Sequence, residues 1–152
     1  MPKVAILTGS KSDLPTLDPC IETLNAFGIE NEVHVMSAHR APGKVTAFAS
    51  SAADNGFEVI IAAAGMAAHL PGVVAAQTPL PVIGVPVASG NSGVSGLDAL
   101  LSIAQMPPGV PVACMAVNGA KNAALYAAAI LALKHPEIAR KLADFRAEQA
   151  GK

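Results

Sequence analysis

No Asp, Glu, Lys or Arg occurs anywhere in residues 59–97. A stretch that long without charge has to be buried, either in protein or in lipid. A membrane span needs about 18 or more uninterrupted apolar residues. Here Gly65, Pro71, Gly72, Pro79, Pro81, Gly84 and Pro86 break the run repeatedly. The segment therefore reads as strands and a short helix covered on all sides, with no membrane involvement. Strands covered on both faces are the mark of a parallel sheet flanked by helices.

The rest of the chain agrees with that reading. Residues 4–8 form a near-continuous apolar run closed by Gly9, the pattern of a buried strand. The spacing predicts a helix over 14–27, with Leu17, Ile21 and Leu24 on one face and Gly28 at its stop. Further strands are expected over 30–36, 57–63, 81–85 and 110–117. Helices are expected over 42–54, begun by Pro42, and over 69–77, 97–105 and 118–133. Residues 89–96 form a Gly/Ser/Asn loop suited to lining a ligand. This alternation predicts an α/β fold, a flavodoxin-like three-layer αβα sandwich on a parallel five-stranded sheet. Residues 1–152 are read as a single catalytic domain, with 135–152 a C-terminal helical tail whose Ile138, Leu142 and Phe145 recur at helical spacing.

Composition bounds the partners. Apolar residues make up 52% of the chain and charged residues 14%, against roughly 25% charged in ordinary globular proteins. The Ala-rich stretch 123–133 is apolar all round, where a surface helix would show a polar face. Both features predict an oligomer. The net charge of −1 and the lack of a basic block argue against nucleic acid. No targeting pattern opens the chain, so the expected location is cytoplasmic. Cys20 and Cys114 match no metal or redox spacing and read as buried thiols. No His pair or acidic pair has metal-ligand spacing, so no metal is expected. His34 and His135 read as structural or exposed.

Three loops carry the chemistry, each placed after an apolar strand. In an open parallel sheet such loops meet outside the carboxyl ends of the strands, where ligands bind. In the first, Gly9 lets the backbone turn close to a ligand. Ser10, Ser12 and Asp13 can cap the next helix, and Asp13 suits ribose hydroxyls as an acceptor. In the second, Ser37 and Ala38 precede His39 and Arg40. Arg40 can fork onto a phosphate, and His39 can give and take a proton near neutral pH. In the third, Gly65, Ala67 and Leu70 surround His69. A helix start and desolvation both disfavour its charged form, which would leave a neutral ring to orient a polar group.

Together these loops resemble the AIR carboxylase family of purine biosynthesis, in its class I branch, the N5-carboxyaminoimidazole ribonucleotide mutases. The resemblance runs along nearly the whole chain. It is carried by Gly9-Ser10-Lys11-Ser12-Asp13, Ser37-Ala38-His39-Arg40, Ala67-Ala68-His69-Leu70-Pro71-Gly72 and residues 81–87, then by Leu97-Asp98, Gln105-Met106-Pro107 and Asn122-Ala123-Ala124-Leu125. Ala63 and Met66 stand where that branch often has glycine. The class II carboxylases, which use CO2 directly, carry Lys where Arg40 stands and are the alternative.

The resemblance implies a homo-octamer with no cofactor and a small ribonucleotide substrate, with an ATP-dependent synthetase as a transient partner. The implied reaction moves a carboxylate from the exocyclic amine to ring carbon 4 by loss and recapture of CO2. His39 would be the general acid/base. His69, Gly65, Ala67 and Leu70 would wall in the CO2, and Ser10, Ser12, Asp13, Ser37 and Arg40 would hold the ribose phosphate. Other α/β readings fit less well. A phosphoacceptor receiver needs Asp at the end of the third strand, where Ala62-Ala63-Ala64-Gly65 stands. A flavin carrier usually offers a stacking aromatic, yet the chain has no Trp and a single Tyr. A noncatalytic ribonucleotide-binding protein gives His39 nothing to do.

Overall fold

The computed structural model describes residues 1–152. Five strands alternate with helices: β1 Lys3–Thr8, β2 Glu30–Val35, β3 Val59–Gly65, β4 Val82–Val87 and β5 Ala113–Cys114. The helices are α1 Leu14–Ala26, α2 Pro42–Ser51, α3 Leu70–Ala75, α4 Leu97–Ala104, α5 Ala120–Ala132 and α6 Pro136–Ala150, and a single 3-10 turn over Lys11–Asp13 leads into α1. All pairings are parallel, in the order β2-β1-β3-β4-β5. That order is the flavodoxin-like one, and its switch point lies between β1 and β3.

The alternation of side chains along each strand builds two cores. Val4, Ile6, Ile61, Ile83 and Val85 face α1, α5 and α6. Ala5, Leu7, Ile60, Ala62 and Val82 face α2, α3 and α4. Every residue of β4, and β3 up to Ala64, is buried, which accounts for the two strand portions of the charge-free segment. Gly84 lets α4 come close: a Cβ there would stand 2.4 Å from Ile103 Cγ2. No helix is long and apolar enough to cross a membrane.

One expectation is corrected. The fifth strand is far shorter than 110–117, covering only Ala113–Cys114. Pro111 has no N–H to give to a ladder, so pairing starts late. It continues only as single bonds, Met115 N–H to Gly84 O at 2.9 Å and Asn118 N–H to Pro86 O at 2.7 Å. The all-round apolarity of α5 is largely used inside the chain. Its Ala120, Ala123, Ala124, Ala127, Ala128 and Leu131 are buried, and α6 covers part of the outer side through Leu142 and Phe145. Tyr126 and Leu133 remain exposed.

The free thiols read from sequence are Cys20, buried in the core, and Cys114, half-buried. Burial pushes the Cys20 thiol up to about 12. His34 hydrogen-bonds Glu32 and lies on the Phe48 ring. His135 Nε2 sits 3.0 Å from both Glu58 oxygens. Both histidines are held by carboxylates, and neither lines the cavity described below.

Candidate active site

The loops after β1, β2, β3 and β4 enclose a cavity of about 310 Å³ at the carboxyl edge of the sheet. It straddles the switch point. Gly9, Ser10, Ser12, Asp13, Ser37, Ala38, His39, Arg40, Gly65, Ala67, His69 and Leu70 all line it. Every site residue predicted from sequence therefore meets in one place. Ala64, Met66, Ser89 and Asn91 complete the lining. The last two lie in the Gly/Ser/Asn loop, whose composition was the available signal, although no single residue in it stood out.

In the first loop the two serines bond each other, while the Asp13 carboxyl stays free. Ser10 Oγ accepts the Ser12 N–H at 3.3 Å and lies 2.7 Å from Ser12 Oγ. Asp13 begins α1 without a side-chain capping bond, so its carboxyl is uncommitted. Burial pushes that carboxyl above its ordinary value, as expected for a group awaiting donors it lacks in the free protein.

The second loop is a tight turn closed by Ala41 N–H to Ser37 O at 2.9 Å. Ser37 Oγ accepts from Arg40 N–H at 3.1 Å and from Arg40 Nε at 3.4 Å. Arg40 Nη2 donates to Gly9 O at 3.3 Å. The guanidinium is thus fixed between the first two loops, with donors left over for an anion.

His39 and His69 are in direct contact. His39 Nε2 lies 2.7 Å from His69 Nδ1, with the rings perpendicular and their centroids 4.8 Å apart. One ring donates and the other accepts, so the pair can share and hand on one proton. Sequence reasoning placed both rings in the site but not in contact. Both are exposed to the cavity, so the expected desolvation of His69 is absent from the single chain. No group of three His, Cys, Asp or Glu residues here is arranged to hold a metal ion.

Met66 adopts φ 53° in the third loop. This left-handed region costs a non-glycine residue about 1–2 kcal/mol. Glycine, which the resembling branch often has here, would adopt it freely.

Fold and cavity define a doubly wound α/β protein with a small-molecule site at its switch point. The family model for AIR carboxylase matches residues 3–152, and the chain belongs to that family. The N5-carboxyaminoimidazole ribonucleotide mutase of Thermotoga maritima is 55% identical over 146 residues, covering 96% of this chain and 84% of that protein. The protein of the same name from Pseudomonas aeruginosa is 54% identical over 148 residues, covering 96% of this chain and 90% of that one. The crystal structure of Treponema denticola PurE superimposes with a TM-score of 0.88 at 29% identity, over 99% of this chain and 93% of that one.

Proposed function

We propose that this chain is an N5-carboxyaminoimidazole ribonucleotide mutase of purine biosynthesis, with residues 1–152 forming its catalytic domain. The observation that carries the mechanism is the His39–His69 contact beside a cluster of Arg40, Ser10, Ser12, Asp13 and Ser37 suited to a ribose phosphate. Arg40 receives the phosphate and Asp13 the ribose hydroxyls. His39 protonates the exocyclic nitrogen as the N–C bond breaks and CO2 leaves. Gly65, Ala67 and Leu70 hold the CO2 against the ring, because free CO2 would otherwise escape to water. Ring carbon 4, electron-rich through the enamine, attacks it. His39 then removes the carbon-4 proton, which restores both aromaticity and the starting protonation state. The steps balance without a cofactor.

The reading extends to assembly and location. Leu97 and Leu101 are exposed on α4 and Val94 in the loop before it, with Tyr126 exposed on α5 and Leu133 just past its end. These apolar surfaces support association, and the family resemblance suggests a homo-octamer working in the cytoplasm. A transient ATP-dependent synthetase would deliver the unstable substrate.

An ATP-free assay of the pure protein tests the reading. One reaction holds the N-carboxylated substrate. The other holds aminoimidazole ribonucleotide with limited bicarbonate. Fast formation of the 4-carboxy product only in the first is expected. Comparable turnover in the second would make the protein a direct carboxylase, and silence in both would leave a binding protein.

A further inference from the structure

The cavity is ordered along the sheet, and that order assigns its far end. Strand order places the loops in the row β2, β1, β3, β4. Arg40 bridges the first two through Gly9 O. The imidazole pair spans from the loop after β2 to the loop after β3. Ser89, after β4, packs directly against Gly65, where an added Cβ would stand 3.0 Å from Ser89 Cβ. If the phosphate lies at Arg40 and the imidazole at the histidines, the ring edge that carries the carboxylate faces Ser89 and Asn91.

We infer that Asn91, supported by Ser89, is a specificity-determining residue that binds the substrate's carboxylate. The inference rests on the ribonucleotide reading above. The Asn91 carboxamide has no hydrogen-bond partner within the chain, while its backbone N–H is held by Ser89 Oγ at 3.2 Å. The loop around it is anchored. Ala88 N–H donates to Asn118 Oδ1 at 3.0 Å, and Ser92 Oγ donates to Asp98 Oδ1 at 2.9 Å. Asn91 therefore lines the cavity with its amide unbonded, on a loop tied down at both ends.

Its neutrality has a chemical reason. As CO2 leaves, the negative charge leaves the carboxylate. A cation clamped on that group would stabilise the ground state more than the transition state and slow the step. Neutral donors orient the carboxylate without holding its charge in place. All residues lining this end of the cavity, from Ala64 to Asn91, come from the charge-free segment 59–97. Arg40 and Asp13, at the other end, lie outside it. The absence of charge thus serves the reaction as well as burial.

The test is a titration of wild type, Asn91→Ala and Asn91→Asp with two nucleotides, followed by calorimetry. One is the 4-carboxylated product and the other is aminoimidazole ribonucleotide, which lacks the carboxylate. Asn91→Ala should weaken the carboxylated nucleotide about tenfold, the scale of one hydrogen bond to a charged group. It should change the other less than twofold. Asn91→Asp should weaken the carboxylated nucleotide further, about a hundredfold, by like-charge repulsion. Equal losses for both nucleotides, or no loss for the carboxylated one, would overturn the assignment while leaving the reading of the site intact. Failure of wild type to bind either nucleotide would remove the reading and the assignment together. Circular dichroism checks the fold, which Asn91 does not support through any side-chain bond.

Discussion

The contact between His39 and His69 makes a sharp prediction about how two substitutions combine. Replacing His39 by Asn removes the group that moves the proton. General acid/base groups contribute about 10²–10⁴-fold, or roughly 3–5 kcal/mol of barrier. Replacing His69 by Ala removes the 2.7 Å partner of His39 Nε2. A hydrogen bond to a charged imidazole is worth about 1.5–3 kcal/mol, and the exposure of both rings puts this one at the low end. The expected loss in kcat is therefore about tenfold. His69→Asn should recover most of it, because the Asn Oδ1 can accept where Nδ1 stood. The double variant His39→Asn, His69→Ala should fall within about threefold of His39→Asn alone, since His69 then has no proton carrier to assist. Single-turnover rates with the N-carboxylated substrate compare wild type and all four variants. A further tenfold loss in the double variant would show that the two rings act independently, and the shared-proton account would fail.

Arg40→Lys keeps the charge but loses the bonds to Ser37 and Gly9 O, so KM should rise severalfold with kcat little changed; a collapsed kcat at constant KM would place Arg40 in the chemistry. Gly84→Ala should cost about 1–3 kcal/mol, because the new methyl meets Ile103 Cγ2 at 2.4 Å and the branched side chain cannot swing away. Thermal unfolding that left Tm unchanged would contradict the seating of α4 on β4. Met66→Gly removes about 1–2 kcal/mol of left-handed strain and gives back about 0.4–1 kcal/mol to the unfolded chain. A small rise in Tm is expected, and a fall would mean that the Met66 side chain packs. At Glu58, burial pushes the carboxyl up, but hydrogen bonds from His135 and Lys134 outweigh it and hold the group below its ordinary 4.5. A lowered acid stabilises the fold above the unfolded value and loses that contribution as pH falls through the folded value. The Tm gap between wild type and Glu58→Gln should thus narrow below about pH 4.5, and a gap independent of pH would refute it.

The layers of this fold were legible because burial on both faces leaves a compositional mark. A strand covered on both faces has no water-facing residue at which a charge can sit, so β3 and β4 wrote their position into residues 59–97. Edge strands leave weaker marks. Residues 110–117 read as one long strand, since apolar content alone does not show that Pro111 withholds a ladder bond until Ala113. The α5 helix shows what apolarity alone leaves open. Apolar all round, it reads as an intersubunit surface; within the chain one side of it is buried in the core, α6 covers part of the outer side, and Tyr126 stays exposed. Sequence gives the demand for cover; which element supplies it depends on where the chain turns after His135.

The site was legible residue by residue, but its distances were not, and the histidine pair shows why. Gly9, His39 and His69 each follow a strand, so topology alone brings them to one edge. Whether two of them touch depends on strand order. The loops after β2 and β3 stand on either side of β1, roughly 10 Å apart at the usual spacing between neighbouring strands. One side chain cannot bridge that gap, but two imidazoles reaching toward each other can. The order β2-β1-β3 sets the two loops within reach of a pair of imidazoles, a fact about the sheet that no local motif contains. The same reasoning separates Arg40 from Asn91. One follows an edge strand and the other follows β4, and the sheet between them fixes which end of a ligand each can meet.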